Sequence, residues 1–142
     1  MPIKTCVGAV LYDDVGRIFL MTSPKWKGYL VPGGRIEEGE SEEEALRREI
    51  REELGIKITD LYRAGESVKL ASSDFTDPTV EFHFKSYFAR VESTNIEPNH
   101  EITEYGWFTL AEARQLPLLD STRNLVEQFR ELWAYKKKEP EK

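Results

Sequence analysis

Three glutamates, Glu49, Glu52 and Glu53, crowd into one short stretch of this chain. On a helix, at about 100° per residue, they fall together on one face. Like charges three and four residues apart repel, so the arrangement costs stability unless a cation sits there. Hard cations such as Mg²⁺ take oxygen ligands, and Mg²⁺ commonly bridges a few carboxylates to substrate phosphates. A solvated, charge-laced helix would carry similar residues. Glu43 with Arg47 and Glu44 with Arg48 are pairs in the favourable order. Both readings, metal site and solvated face, stay open on helix logic alone.

The stretch around these acids has marked ends. Ser41 is a good N-cap, and Glu44 three residues on completes a capping box. Gly55 stands where a helix needs a left-handed residue. Between them Leu46, Ile50 and Leu54 form one apolar stripe beside the carboxylate face. Pro32-Gly33-Gly34 leads in, and glycines there let the chain approach a ligand closely.

The whole run from Gly34 to Ile56 resembles the Nudix box, G-x5-E-x7-R-E-U-x-E-E-x-G-U, where U is a bulky aliphatic residue. Gly34, Glu40, Arg48, Glu49, Ile50, Glu52, Glu53, Gly55 and Ile56 fill every fixed position. The segment Glu104-Tyr105-Gly106-Trp107-Phe108 is also similar to a strand of that family. The resemblance implies an α/β fold, an α/β/α sandwich with a mixed β-sheet. It implies hydrolysis of a nucleoside diphosphate linked to a group X, with water attacking phosphorus. The products would be a nucleoside monophosphate and phosphorylated X, or pyrophosphate from a triphosphate. The cofactor implied is Mg²⁺, with Mn²⁺ as an alternative, which would offset phosphate charge and activate water.

By position, the resemblance makes Glu49, Glu52 and Glu53 metal ligands, with the Gly33 carbonyl as a further one. Arg48 and Glu40 would orient the carboxylates, and Arg48 is counted with the three glutamates in the catalytic set. Gly34 would shape the loop, and Ile50 and Ile56 would pack. Family members draw the general base from a box glutamate or from a distant loop. Glu101 is the candidate chosen here, with Glu104 as rival and Glu97 behind them. The chain lacks the proline expected about fifteen residues after the box in the ADP-ribose subgroup, and the tyrosine of the dinucleoside polyphosphate subgroup. A nucleoside triphosphate or a nucleotide sugar remains as substrate. The alternatives are a non-catalytic nucleotide-sensing module, and a dinucleoside polyphosphate or RNA-cap hydrolase.

Composition sets the outer limits. The 142 residues suit one domain over 1–142. A net charge of −6 argues against a broad nucleic-acid surface, and an acidic protein that handles anionic phosphates needs cations to screen them; the small nucleotide partner is what the resemblance implies. The single Cys6 allows no internal disulfide and reads as a reduced core residue. No leader or membrane-length apolar run is visible, so the expected location is cytoplasmic. A homodimer is left open.

Along the chain, Ile3–Tyr12 and Arg17–Thr22 read as strands joined by a turn at Asp13-Asp14-Val15-Gly16. Tyr29-Leu30-Val31 reads as a short strand. Lys57–Ala71 and Thr79–Val91 read as a hairpin around a turn at Asp74–Pro78, with Phe82, Phe84 and Phe88 on one face of the second strand. Glu104–Leu110 is a strand, and a short helix stops at Pro117. Ser121 is expected to cap a final helix with Leu125, Phe129, Leu132 and Trp133 on its apolar face. Residues 136–142 read as a frayed tail. Trp26, Tyr29 and Phe75 could stack on a nucleobase, and Lys25, with Lys27, could meet phosphates. His100 is a candidate phosphate contact, and His83 has no assigned role.

Overall fold

The computed structural model describes residues 3–69 and 81–138. Its strands are β1 (Ile3–Tyr12), β2 (Ile18–Thr22), β3 (Gly33–Arg35), β4 (Ile58–Lys69), β5 (Glu81–Val91) and β6 (Glu104–Phe108). Its helices are α1 (Glu42–Leu54), α2 (Leu110–Arg114) and α3 (Asp120–Lys138). The strand order is β4-β5-β1-β2-β6, with β3 also on β1. β1 and β5 run parallel over their length, from Ile3 opposite Glu81 to Tyr12 opposite Arg90. The other pairs are antiparallel, so the sheet is mixed.

Alternation along β1 decides which helix each residue meets. Val7, Ala9 and Leu11 point to one face, where Phe19, Met21, Ala89 and Val91 join Leu46, Ile50 and Leu54 of α1. Val10 and Tyr12 point to the other, with Ile18, Leu20 and Phe88 against Ala113 of α2 and Leu125, Val126 and Phe129 of α3. The sheet is thus buried on both faces, as the expected α/β/α sandwich requires. Burying side chains such as Phe19, Leu46 and Phe129 contributes about 1.5–3 kcal/mol each.

The strand expected at Tyr29-Leu30-Val31 is displaced. Tyr29 and Leu30 make only isolated bridges, to Leu118 and Met21. The pairing strand is β3, with Gly33 opposite Gly8 and Gly34 opposite Val7. Close approach is the reason: a side chain at Gly33, at φ 157°, would run into the Val7 carbonyl. Since β5 occupies one edge of β1, β2 and β3 share the other. β2 meets β1 at Tyr12–Ile18 and β3 pairs with Cys6, Val7 and Gly8 in the middle of β1.

The hairpin of β4 and β5 forms as expected, with register shifts between Thr59 and Tyr62 and between Arg63 and Gly65. The turn expected at Asp74–Pro78 lies outside the described residues. α3 begins at Asp120, which puts Ser121 inside its first turn and not at the cap. The helix runs on through Lys138, and the Lys136 Nζ donates to the Tyr62 hydroxyl at 2.9 Å. Lys136 to Lys138 are therefore helical rather than frayed.

Candidate active site

α1 carries the acids and is built by its own sequence. Ser41 is extended at φ −76°, ψ 166°, and its hydroxyl accepts the Glu44 N–H while Glu44 returns a bond to the Ser41 N–H. Gly55 closes the helix at φ 70°, with its N–H on the Arg51 carbonyl. Leu46, Ile50 and Leu54 are fully buried, which turns the neighbouring face with Glu49, Glu52 and Glu53 toward β3.

Arg48 organises that face. Its Nε and Nη2 fork onto the two Glu40 oxygens at 2.7 and 2.8 Å. Nη1 reaches Glu49 at 2.8 Å and Glu52 at 3.3 Å, and Nη2 also donates to the Arg35 carbonyl at 3.0 Å. The Arg48 guanidinium, helped by the Glu37 N–H, holds the Glu40 carboxyl down at about 2. Glu49 behaves oppositely: burial raises its pKa, against the lowering pull of Arg48. A Cβ at Gly34 would strike the Glu49 carboxylate, so a side chain there would push that acid out of its place.

Glu53 is 3% exposed, and its Oε1 accepts the Gly33 N–H at 2.9 Å. Burial first, then the charge of Glu49, with further contributions from Glu101 and Glu52, pushes its pKa up to about 8; the Gly33 bond opposes the rise. Such a site carries more negative charge than its surroundings neutralise. Its donors are hard carboxylate oxygens, the chemistry that suits a hard divalent cation. Among the described residues no three His, Cys, Asp or Glu side chains converge closely enough to enclose an ion. Arg48 draws Glu49 and Glu52 to itself, while the Gly33 N–H holds Glu53.

A cavity of about 1030 Å³ opens from these acids. Gly33, Glu49, Glu52, Glu53 and Glu101 border it, as do Lys25 and His100. On the α3 side of the sheet its wall is aromatic. Phe82 and Phe84 stack at 5.5 Å, and Trp26 packs on them at 5.0 and 6.1 Å. α3 adds the side-chain amides of Asn124 and Gln128, one turn apart.

Several expected residues lie elsewhere. Tyr29 does not line the cavity: its ring meets Phe108 edge-on at 6.1 Å, and its hydroxyl donates to Glu104 at 3.1 Å. Glu104 does not border the cavity either. Glu97 sits beside Gly55 at the end of α1, outside the cavity lining. His83 bonds Glu81 at 2.8 Å. Lys27 does not border the cavity, and Phe75 lies outside the described residues. Cys6 is not in the core but half-buried at the cavity edge, where burial raises its thiol pKa. Phe82 and Phe84 were legible as one strand face, but Asn99, Asn124 and Gln128 were missed. Asn99 had a signal, an asparagine two residues before an acid, which favours a local side-chain turn.

The family model for the NUDIX domain matches residues 2–129, and the chain belongs to this family. The chain is 32% identical over 100 residues to the nucleoside triphosphatase NudI of Enterobacter sp. strain 638, covering 67% of this chain and 71% of that one. It is 38% identical over 63 residues to the RNA pyrophosphohydrolase of Dinoroseobacter shibae, covering 41% of this chain but only 38% of that protein. The crystal structure of a MutT NUDIX hydrolase from Burkholderia pseudomallei superposes with a TM-score of 0.76 at 26% identity, covering 90% of this chain and 98% of the other. Among the described residues no helix is long and apolar enough to cross a membrane.

Proposed function

We propose that this chain is a divalent-cation-dependent pyrophosphohydrolase of a nucleoside triphosphate or a nucleotide sugar. The observation that carries this is the one cavity joining the Glu49, Glu52, Glu53 and Glu101 acids to the Trp26–Phe82–Phe84 wall. One end suits a phosphate chain with its counter-ion, and the other suits a flat heterocycle.

Glu49, Glu52 and Glu53, with the Gly33 carbonyl, would hold Mg²⁺ or Mn²⁺. The bound cation would offset phosphate charge and favour in-line attack by water. Arg48 and Glu40 fix where the Glu49 and Glu52 carboxylates stand. Glu101 is the general base, taking the proton from the attacking water as its oxygen bonds to phosphorus and the bridging oxygen leaves. Lys25 meets the phosphates, and Trp26 with Phe82 and Phe84 supports the base. Asn124 and Gln128 offer donors and acceptors to its edge. The NudI relative, named as a nucleoside triphosphatase, supports the triphosphate choice.

The test is a panel of nucleoside triphosphates, nucleotide sugars, ADP-ribose and dinucleoside polyphosphates with Mg²⁺ or Mn²⁺, both products being identified. A nucleoside monophosphate with pyrophosphate or a sugar phosphate is expected. Release of inorganic phosphate alone from a triphosphate would contradict the proposal.

A further inference from the structure

The loop between β5 and β6 is joined to the end of α1 through its backbone. The Glu97 N–H donates to the Leu54 carbonyl at 2.7 Å, and the Asn99 N–H donates to the Glu53 carbonyl at 2.9 Å. Both carbonyls belong to the last turn of the helix, where no intrahelical donor remains for them. Asn99 makes two more bonds. Its side-chain oxygen accepts the Glu101 N–H at 3.0 Å, and its carbonyl accepts the Ile102 N–H at 3.3 Å. One residue therefore ties the main chain of Glu53 to the main chain of Glu101, and both acids border the same cavity.

Ile96 and Ile102 pack against the core on the α1 face, so this loop is held on either side of Asn99. Among the described residues no hydrogen bond or ion pair holds the Glu101 carboxylate itself. Its place follows from the backbone that carries it. A base must come within about 2.6–3.2 Å of the atom whose proton it takes. A misplacement of about 1 Å can cost about 10²-fold in rate.

We propose that Asn99 is a positioning residue that sets Glu101 against the carboxylates of α1. It acts through the backbone turn that its side chain closes. The proposal rests on the assignment of Glu101 as general base.

The test compares Asn99→Ala and Asn99→Ser, each alone and with Glu101→Gln. Every variant keeps the residue-99 N–H on the Glu53 carbonyl, and Ser supplies an acceptor, Oγ, one bond closer to the backbone than the Asn99 Oδ1. Asn99→Ala should lower kcat by about 10–100-fold at nearly constant KM. Asn99→Ser should recover most of that loss. In the Glu101→Gln background Asn99→Ala should cost little more, since the two act as one unit. Hydrogen exchange at the Glu101 amide should speed up in Asn99→Ala and stay slow in Asn99→Ser, whether or not a substrate is in hand. Unchanged exchange at that amide would overturn the proposal on structural grounds. Wild-type kcat in Asn99→Ala, beside an impaired Glu101→Gln, would remove the role of Asn99 and leave the base in place. An equal kcat loss in both backgrounds, not restored by Ser and matched by a lower melting temperature, would mark Asn99 as a merely structural residue. Wild-type kcat in Glu101→Gln would remove the base assignment, and the positioning role with it.

Discussion

Arg48 serves Glu40, Glu49 and Glu52 with one guanidinium, and only a planar fork can do so. Lysine keeps the charge but cannot bridge both Glu40 oxygens while reaching Glu49. Arg48→Lys should therefore lower activity by about 10–100-fold while the protein stays folded, as measured by turnover and thermal melts side by side. The two candidate bases are also separable. Glu101→Gln should cut kcat by about 10²–10⁴-fold with little change in KM. Glu104→Gln should leave kcat near normal, because Glu104 is engaged by the Tyr29 hydroxyl. The reverse result would move the role to Glu104. Glu53 gives a pH signature. Its folded pKa of about 8 lies above the ordinary 4.5. Between those values the folded state keeps a proton that the unfolded chain has released. This stability is fully present below pH 4.5 and is lost as pH rises through about 8. Melting temperature in EDTA should fall across that window, and Glu53→Gln should flatten the fall. Glu40 acts in the opposite sense, losing its contribution as pH falls toward about 2, so it does not mask the effect.

α1 is the element that the sequence states most fully, because its signals are local. Ser41, Glu44 and Gly55 satisfy the helix ends with groups a few residues away. Ser41→Ala should cost about 1 kcal/mol in denaturant unfolding. Gly55→Ala should cost about 1–2 kcal/mol, since alanine resists the left-handed conformation. No change in either would mean that α1 is held by packing alone. β3 was not legible for the opposite reason. Glycines are poor strand formers, and Gly33 and Gly34 pair only because β1 offers Val7 and Gly8 at close range. Tyr29-Leu30-Val31 has better strand residues, but its pairing stops at single bridges to Leu118 and Met21. Asn99 was obscure for the same cause: its bond to the Glu53 carbonyl joins segments far apart in sequence. Phe82 and Phe84 alternate visibly along β5, but which face borders a cavity depends on where α3 lies.

At the scale of the molecule, one sheet separates two jobs. α1 on one face carries the acids, and α3 on the other lines the same cavity as the aromatic wall, while β3 pairs with β1 beside the α1 acids. Phe129 anchors α3 at 0% exposure, against Tyr12 at 5.2 Å and Phe88 at 6.0 Å. Phe129→Ala should cost about 3–5 kcal/mol of stability by denaturant titration. Under the proposed function, this arrangement splits a diphosphate by water attack at phosphorus, with a divalent cation held by the α1 glutamates. The most direct measurement is hydrolysis of the best substrate of the panel in ¹⁸O-water, with Mg²⁺ and with EDTA, for the wild type and for Glu52→Gln and Glu53→Gln. Label is expected in one phosphate-bearing product, with no turnover in EDTA and loss of most of the rate in both variants. Label in neither product, or wild-type turnover by either folded variant at saturating Mg²⁺, would contradict the proposed function.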